Sequence, residues 1–150
     1  MLQQEDIQGI KSLLYRSWTA QAQIEADAEV QQRLRFIAGK VTPTLSQAPC
    51  HGSDQDKLSG IIAKIVDLDN KIQDDINELV KAMAVNREII NDIVNDKHRL
   101  ILQLRYLNKK RWEDIAVMTG KSWQGTHKLH VRALLSAKRT KKYLEIMQKG

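Results

Sequence analysis

The sequence has little of what disulfide or metal-based stability requires. Its 150 residues include one cysteine and four histidines. Cys50 has no partner for an internal disulfide, and the scattered histidines offer little material for a metal framework. We therefore expect no disulfide, no metal site and no cofactor, and we interpret Cys50 as an inert thiol in a loop.

Long apolar runs are also absent. No stretch approaches the roughly 20 apolar residues of a membrane-spanning helix, and the opening MLQQEDIQGI lacks the basic and then apolar layout of a secretory signal. Hydrophobic residues make up 42% and charged residues 28%, which excludes wholesale disorder. These features predict a cytoplasmic protein with one domain, or with a helical arm and a small globular module.

Acidic residues are scarce in the last third of the chain. Residues 1–96 carry 10 Lys and Arg against 15 Asp and Glu, whereas residues 97–150 carry 14 against 3. A basic block of this density favours a polyanionic partner, because each cation that approaches a phosphate releases counterions. A merely solvated basic face is the alternative, and it is weaker at this density.

Prolines are rare, and both lie in one segment. Apolar residues recur at helical spacing over residues 4–39 and 58–94, which predicts two long helices, the first ending at Gly39. The segment 40–57 holds both prolines and shows no period, so it is predicted to be a linker. Together these segments form a predicted arm, residues 1–94.

The second predicted helix carries a coiled-coil seam, with Asn86 at the one skipped position. An apolar stripe of this length has to be covered, so we expect the arm to fold as a hairpin, to form a homodimer, or both. The predicted seam residues are Ile61, Ile65, Leu68, Ile72, Ile76, Leu79, Met83, Ile90 and Ile93.

Residues 95–150 are predicted to form a second domain. Asn95 or Asp96 can cap a short helix. The stretch RWEDIAVMTGKSWQGTHKLH then predicts a helix that begins near Trp112 and ends at Gly120, with Ser122 capping a second helix from Trp123 to about Lys138. Two short helices joined by a three-residue corner predict a helix-turn-helix, and the predicted fold class is all-α.

In a helix-turn-helix the outer face of the second helix enters the DNA major groove. Gln124 suits adenine, and Lys128 suits guanine or a phosphate. The predicted inner face is Thr126, Leu129 and Ala133. The DNA-binding candidates are Ser122, Trp123, Gln124, Gly125, His127, Lys128, Arg132, Lys138 and Arg139.

Three aromatic or histidine positions have competing interpretations. Trp112 is interpreted as a core residue, whereas Trp123 either packs into the corner or contacts a sugar-phosphate. His127 and His130 have the spacing of a metal pair, but without a third ligand surface polar roles are favoured.

The block from Leu100 to Lys138 resembles region 4 of sigma-70-type factors, on the elements LRYL, WEDIA, TGKS and RALLSAK. With the predicted arm in front, the chain is similar to small region-4-like proteins of phages and integrated elements in Gram-positive bacteria, relatives of the RinA- and ArpU-type late-gene regulators. The resemblance implies regulation of mobile-element genes in a bacterial host through duplex DNA, with possible contact to host RNA polymerase. The DNA-contacting positions that the resemblance implies are Trp123, Gln124, Gly125, His127, Lys128 and Arg132.

Two other function classes compete with a DNA-binding regulator. A protein-interaction module would use the arm to engage RNA polymerase, a sigma factor or a repressor. An enzyme is disfavoured, because the sequence has no glycine-rich phosphate loop and no nucleophile with an obvious base beside it. We therefore predict no catalytic residues.

Overall fold

The computed structural model describes the backbone of residues 2–47 and 52–149 and the side chains of residues 7–41 and 55–149. Within these ranges the chain forms helices and no strand, which confirms the predicted all-α fold class. The elements are α1 (Leu2–Gln47), α2 (Gly52–Asn91), α3 (Asp96–Leu102), a π-helical turn (Gln103–Leu107), α4 (Trp112–Thr119), α5 (Trp123–Lys138) and α6 (Lys141–Lys149).

The predicted linker at residues 40–57 is wrong over most of its length. Helix α1 continues through Gly39 and position 43 to Gln47, and α2 begins at Gly52. Helix propensity is a weak local preference, and Ala38 and Val41, which lie on either side of Gly39 in α1, are both half-buried. Residues 48–51, which include the predicted loop thiol, lie outside the described residues.

Helix α2 ends at Asn91, three residues before the predicted end at 94. The backbone tightens there, since the Ile93 amide donates to the Ile90 carbonyl at 3.2 Å. The Asn95 side chain then caps α3 by accepting from the amides of Lys97 and His98. One of the two predicted caps is thereby confirmed, and the competing cap explains the earlier end of α2.

The chain divides into two compact units, residues 1–18 with 79–150 and residues 19–78. The predicted boundary at 94/95 therefore does not coincide with a boundary between compact units. Helices α1 and α2 each contribute one end to the first unit because their terminal segments share its core, as described below.

In the unit of residues 19–78, α1 and α2 run antiparallel within one chain. The Gln31 amide donates to the Ile65 carbonyl at 3.2 Å, and Lys71 pairs with Asp27 farther back along α1. Among the described side chains of this unit, none is fully buried. Several large apolar side chains remain exposed: Val30, Phe36, Ile37, Ile62, Val66 and Ile76.

The seam of α2 differs from its prediction at two positions. Ile76 and Met83 are exposed, while Asp75 and Ala82 are half-buried in their place. The observed seam keeps the spacing of threes and fours that leads to fully buried Asn86. The predicted pair, Ile76 and Met83, and the observed pair, Asp75 and Ala82, cannot share one helix face, because consecutive residues of a helix point about 100° apart.

The unit of residues 1–18 and 79–150 has a continuous hydrophobic core. Ile10 and Leu14 of α1 pack with Ile89 and Ile90 of α2 against the helices that follow. The later helices contribute Ile101, Leu102, Ile115, Ala133, Leu134, Ala137 and Tyr143. Burying these side chains anchors α4 and α5 against the rest of the unit.

The described residues include no helix with both the length and the apolar composition that crossing a membrane requires.

Candidate nucleic-acid interface

The corner between α4 and α5 has the predicted local structure. Gly120 ends α4 in the left-handed conformation, with φ 67°, and the Lys121 amide donates to the Ala116 carbonyl at 3.0 Å. Ser122 caps α5, since its hydroxyl accepts from the Gly125 amide at 3.1 Å. The predicted bounds of α5, Trp123–Lys138, are confirmed.

The presence of a glycine at position 125, in the first turn of α5, has a local steric reason. A Cβ at this position would lie 3.2 Å from the Ser122 hydroxyl oxygen, which is tighter than ordinary contact. The glycine costs α5 about 1 kcal/mol of intrinsic helix stability relative to alanine. It leaves room for the serine cap that begins the helix.

The inner face of α5 is confirmed by burial. Thr126 and Ala133 are inaccessible to solvent, and Leu129 is 9% exposed. The Thr126 hydroxyl also donates to the Ser122 carbonyl at 2.8 Å, which ties the first turn together. Because this face of α5 is buried, the residues on the opposite face are the ones exposed to solvent.

The outer face of α5 combines cations with apolar surface. Gln124, Lys128 and Arg132 are exposed. Half-buried Val131 and Leu135 lie among them and line a shallow groove together with His127, Lys128 and Arg132. An exposed amide and exposed cations can reach both base edges and phosphates.

The charged side chains of this face are all basic. Residues 115–144 contain seven Lys and Arg and no Asp or Glu. None of the ion pairs between described side chains involves Lys128, Arg132 or Arg139, whereas Lys142 pairs with Glu88 at 2.7 Å. Cations outside ion pairs are available to attract a polyanion.

The remaining candidates from the sequence occupy different environments. Ser122 and Trp123 are exposed at the start of α5, and Gly125 is half-buried. At the other end, Lys138 is half-buried in the last turn and exposed Arg139 is the C-terminal capping residue. Exposed candidates therefore lie at both ends of α5.

A series of rings connects the start of α5 with the start of α4. The Trp123 ring lies 4.3 Å from the His127 ring, and the His127 ring lies 5.3 Å from the Trp112 ring. Trp123 is 55% exposed despite this contact. Trp112 is half-buried and packs against the core, in partial agreement with its predicted core role.

The predicted surface role of His130 is wrong. His130 is 5% exposed, contacts the Trp112 ring edge-on and shares a 2.8 Å hydrogen bond with the Tyr106 hydroxyl. Burial above all, together with the nearby charges of Lys11, His127 and Arg105, lowers the pKa of His130 to about 3. The imidazole is therefore neutral at physiological pH, so it serves the core rather than an anion-binding surface.

Arg105 and the basic loop that follows it were not among the candidate residues predicted from the sequence. Lys110 and Arg111 are exposed directly before α4, and Lys121 is exposed in the corner. The run NKKR is a sequence signal for this loop, although Arg111 also contacts Asp114 at 3.3 Å. No local signal identifies Arg105, because its aromatic neighbours include Trp18 of α1.

The described residues contain no group of three or more His, Cys, Asp or Glu side chains placed to hold a metal ion. Comparison of the chain with family models, curated proteins and solved structures found no match. The resemblance to sigma region 4 therefore stays a prediction from the sequence.

Proposed function

We propose that this protein is a DNA-binding transcriptional regulator of phage or mobile-element genes, acting in the cytoplasm of a bacterial host. In this proposal α4, the corner and α5 form a helix-turn-helix similar to sigma region 4. The observation that carries the proposal is the outer face of α5, where Lys128 and Arg132 are exposed and belong to none of the described ion pairs. The acid-free stretch of residues 115–144 supports it.

The candidate residues of α5 and its C-terminal capping residue divide into base-reading and backbone-contacting roles in this proposal. Gln124 and Lys128, near the start of α5, read base edges, with Gln124 suited to adenine and Lys128 to guanine. Trp123 and His127 contact the sugar-phosphate backbone or a base from the first turns. Arg132, Lys138 and Arg139 contact phosphates and so contribute affinity more than sequence selectivity.

The test begins with selection of bound sequences from random duplex DNA. We expect a selected site whose affinity falls steeply with salt. Changing Lys128 and Arg132 together to alanine should weaken binding roughly tenfold to a hundredfold and reduce the salt slope by about 2. Fluorescence anisotropy over a salt series measures both quantities.

A matched control replaces one exposed arginine and one exposed lysine in the other unit, Arg33 and Lys64, with alanine. This pair should leave affinity and salt slope unchanged, because it lies outside the proposed interface. Full binding by the Lys128 and Arg132 double variant would contradict the proposal.

A second candidate function is protein interaction through the helical arm, with RNA polymerase, a sigma factor or a repressor as the partner. The favouring observation is the apolar surface of residues 19–78, including Phe36 at 65% exposed and Ile62 and Val66 at 49% each. Apolar surface of this kind is typical of interaction sites, and it also accommodates the homodimer that we propose for the arm. Partner binding and homodimerisation therefore require the same surface.

Sedimentation of the free protein and co-elution with purified RNA polymerase after nuclease treatment separate these uses. A change of Ile62 and Val66 to lysine should reduce the sedimenting mass to that of a monomer if a second copy covers the surface. The same change should instead abolish co-elution if the polymerase covers it. A variant that behaves like the parent protein in both measurements would exclude this surface as an interface.

A further inference from the structure

Arg105 lies in a sandwich of two tryptophan rings. Its guanidinium carbon is 4.6 Å from the centre of the Trp18 ring, on α1, and 4.6 Å from that of the Trp112 ring, on α4. The guanidinium also donates to the Lys110 carbonyl at 3.0 Å and to the Tyr15 hydroxyl at 3.3 Å. A planar cation can contact a ring on both faces, which an ammonium group cannot do in the same way.

This environment is unusual for a cation. The Nε of Arg105 is buried without a hydrogen-bond partner, and none of the described ion pairs includes Arg105. Lys109 adds a second cation, 5.0 Å from the Trp18 ring. The ring faces of Trp18 and Trp112, with the two hydrogen bonds, hold this cation in the place of a carboxylate partner.

The sandwich leads directly to the proposed reading end of α5. The centre of the Trp112 ring lies 5.3 Å from that of the His127 ring, and the centre of the His127 ring lies 4.3 Å from that of the Trp123 ring. Each member limits the orientations of the next, so the position of the Trp112 ring limits those of His127 and exposed Trp123. A large exposed side chain that is not ordered in advance loses conformational freedom on binding, and this loss lowers the affinity.

We propose that Arg105 is a positioning residue for the DNA-reading end of α5, acting through Trp112 and His127 on Trp123. The proposal rests on the proposed DNA-binding function for its consequence, although the positioning itself does not require DNA. Arg105 touches no DNA in this scheme. It holds Trp112 against a fixed second ring, Trp18, so that His127 and Trp123 are ordered before binding.

Fluorine NMR of the full chain labelled with fluorotryptophan tests the positioning without DNA. The three tryptophans give three signals, and Trp123→Phe assigns that of Trp123. Arg105→Lys keeps the charge but removes the planar stack, so the Trp123 signal should shift or broaden. Arg16→Lys, an exposed arginine on the same helix as Trp18, is the control and should leave the signal unchanged.

DNA binding tests the consequence. Arg105→Lys should lower affinity for the selected site by roughly three- to tenfold, the cost of ordering one or two side chains on binding. Affinity for random duplex DNA and the salt slope should not change, because no phosphate contact is lost. A purely structural role would move the melting temperature and leave the ratio of specific to random affinity intact.

The outcomes separate the two proposals. If the parent protein binds no duplex DNA, the proposed function fails and the fluorine signal alone judges the positioning role. An unchanged Trp123 signal in Arg105→Lys overturns the positioning role, as does an unchanged affinity ratio in a protein that binds DNA. Should Arg105→Lys not fold, Trp18→Phe retains a weaker ring contact and should produce the same changes at smaller amplitude.

Discussion

The burial of His130 predicts a specific sensitivity to acid. An unfolded histidine has a pKa of about 6.5, whereas burial lowers the pKa of folded His130 to about 3. Because the folded pKa lies below the unfolded one, the unfolded chain binds the proton first as pH falls. The contribution of His130 to stability is therefore retained above about pH 6.5 and is lost progressively toward pH 3.

The size of the effect follows from the two pKa values. Linkage gives a loss of about 2 kcal/mol of unfolding free energy by pH 5 and about 3 kcal/mol by pH 4, relative to pH 7. Both are large fractions of the total stability of a domain of this size. Urea denaturation followed by circular dichroism at a series of pH values measures the slope.

Two variants isolate His130 from other titrating groups. His130→Phe removes the proton acceptor, so its free energy of unfolding should fall much less steeply between pH 7 and pH 4. At neutral pH it should cost about 1–3 kcal/mol, because the buried Tyr106 hydroxyl loses its hydrogen bond to His130. His127→Gln, at a half-buried position, should keep the steep slope of the parent. Equal slopes in the parent and His130→Phe would refute this reasoning.

Three further substitutions test the local structure by urea denaturation. Gly120→Ala should cost about 1–2 kcal/mol from backbone strain alone, since φ is 67° and an added Cβ meets no atom within 4 Å. A neutral result would show that the corner can relax. Ser122→Ala should cost about 1 kcal/mol through loss of the cap on α5, and no change would indicate that water replaces it. Asn86→Leu should stabilise the protein by about 1 kcal/mol, because the buried side-chain carbonyl oxygen of Asn86 has no hydrogen-bond partner. Destabilisation would mean that the two hydrogen bonds donated by the Asn86 amide, to the Leu14 carbonyl and the Ser17 hydroxyl, outweigh this cost.

Local chemistry made the corner predictable. Asn95, Gly120 and Ser122 each act on backbone groups within a few positions of themselves, so their roles could be read directly from the sequence. The inner face of α5 followed from helical periodicity, because one side of a helix has to be buried. The charge of the last third is likewise a property of composition alone.

The errors fall where distant residues decide the outcome. Gly39 has the local signature of a helix end, yet α1 continues to Gln47. Ile76 and Met83 fit a seam as well as Asp75 and Ala82 do, and the pairing with α1 selects between them. Periodicity locates an apolar stripe but does not say which edge of it another helix covers.

The helical class, the capped corner, the bounds of α5 and the basic character of its surroundings all follow from the order of residues along the chain. The burial of neutral His130 and the contacts of Arg105 with Trp18 and Trp112 depend instead on how the helices pack. The physical reason is the range of the interactions. Caps and helix periods act within a few residues, whereas burial and ring contacts depend on side chains that folding brings together from opposite ends of the chain.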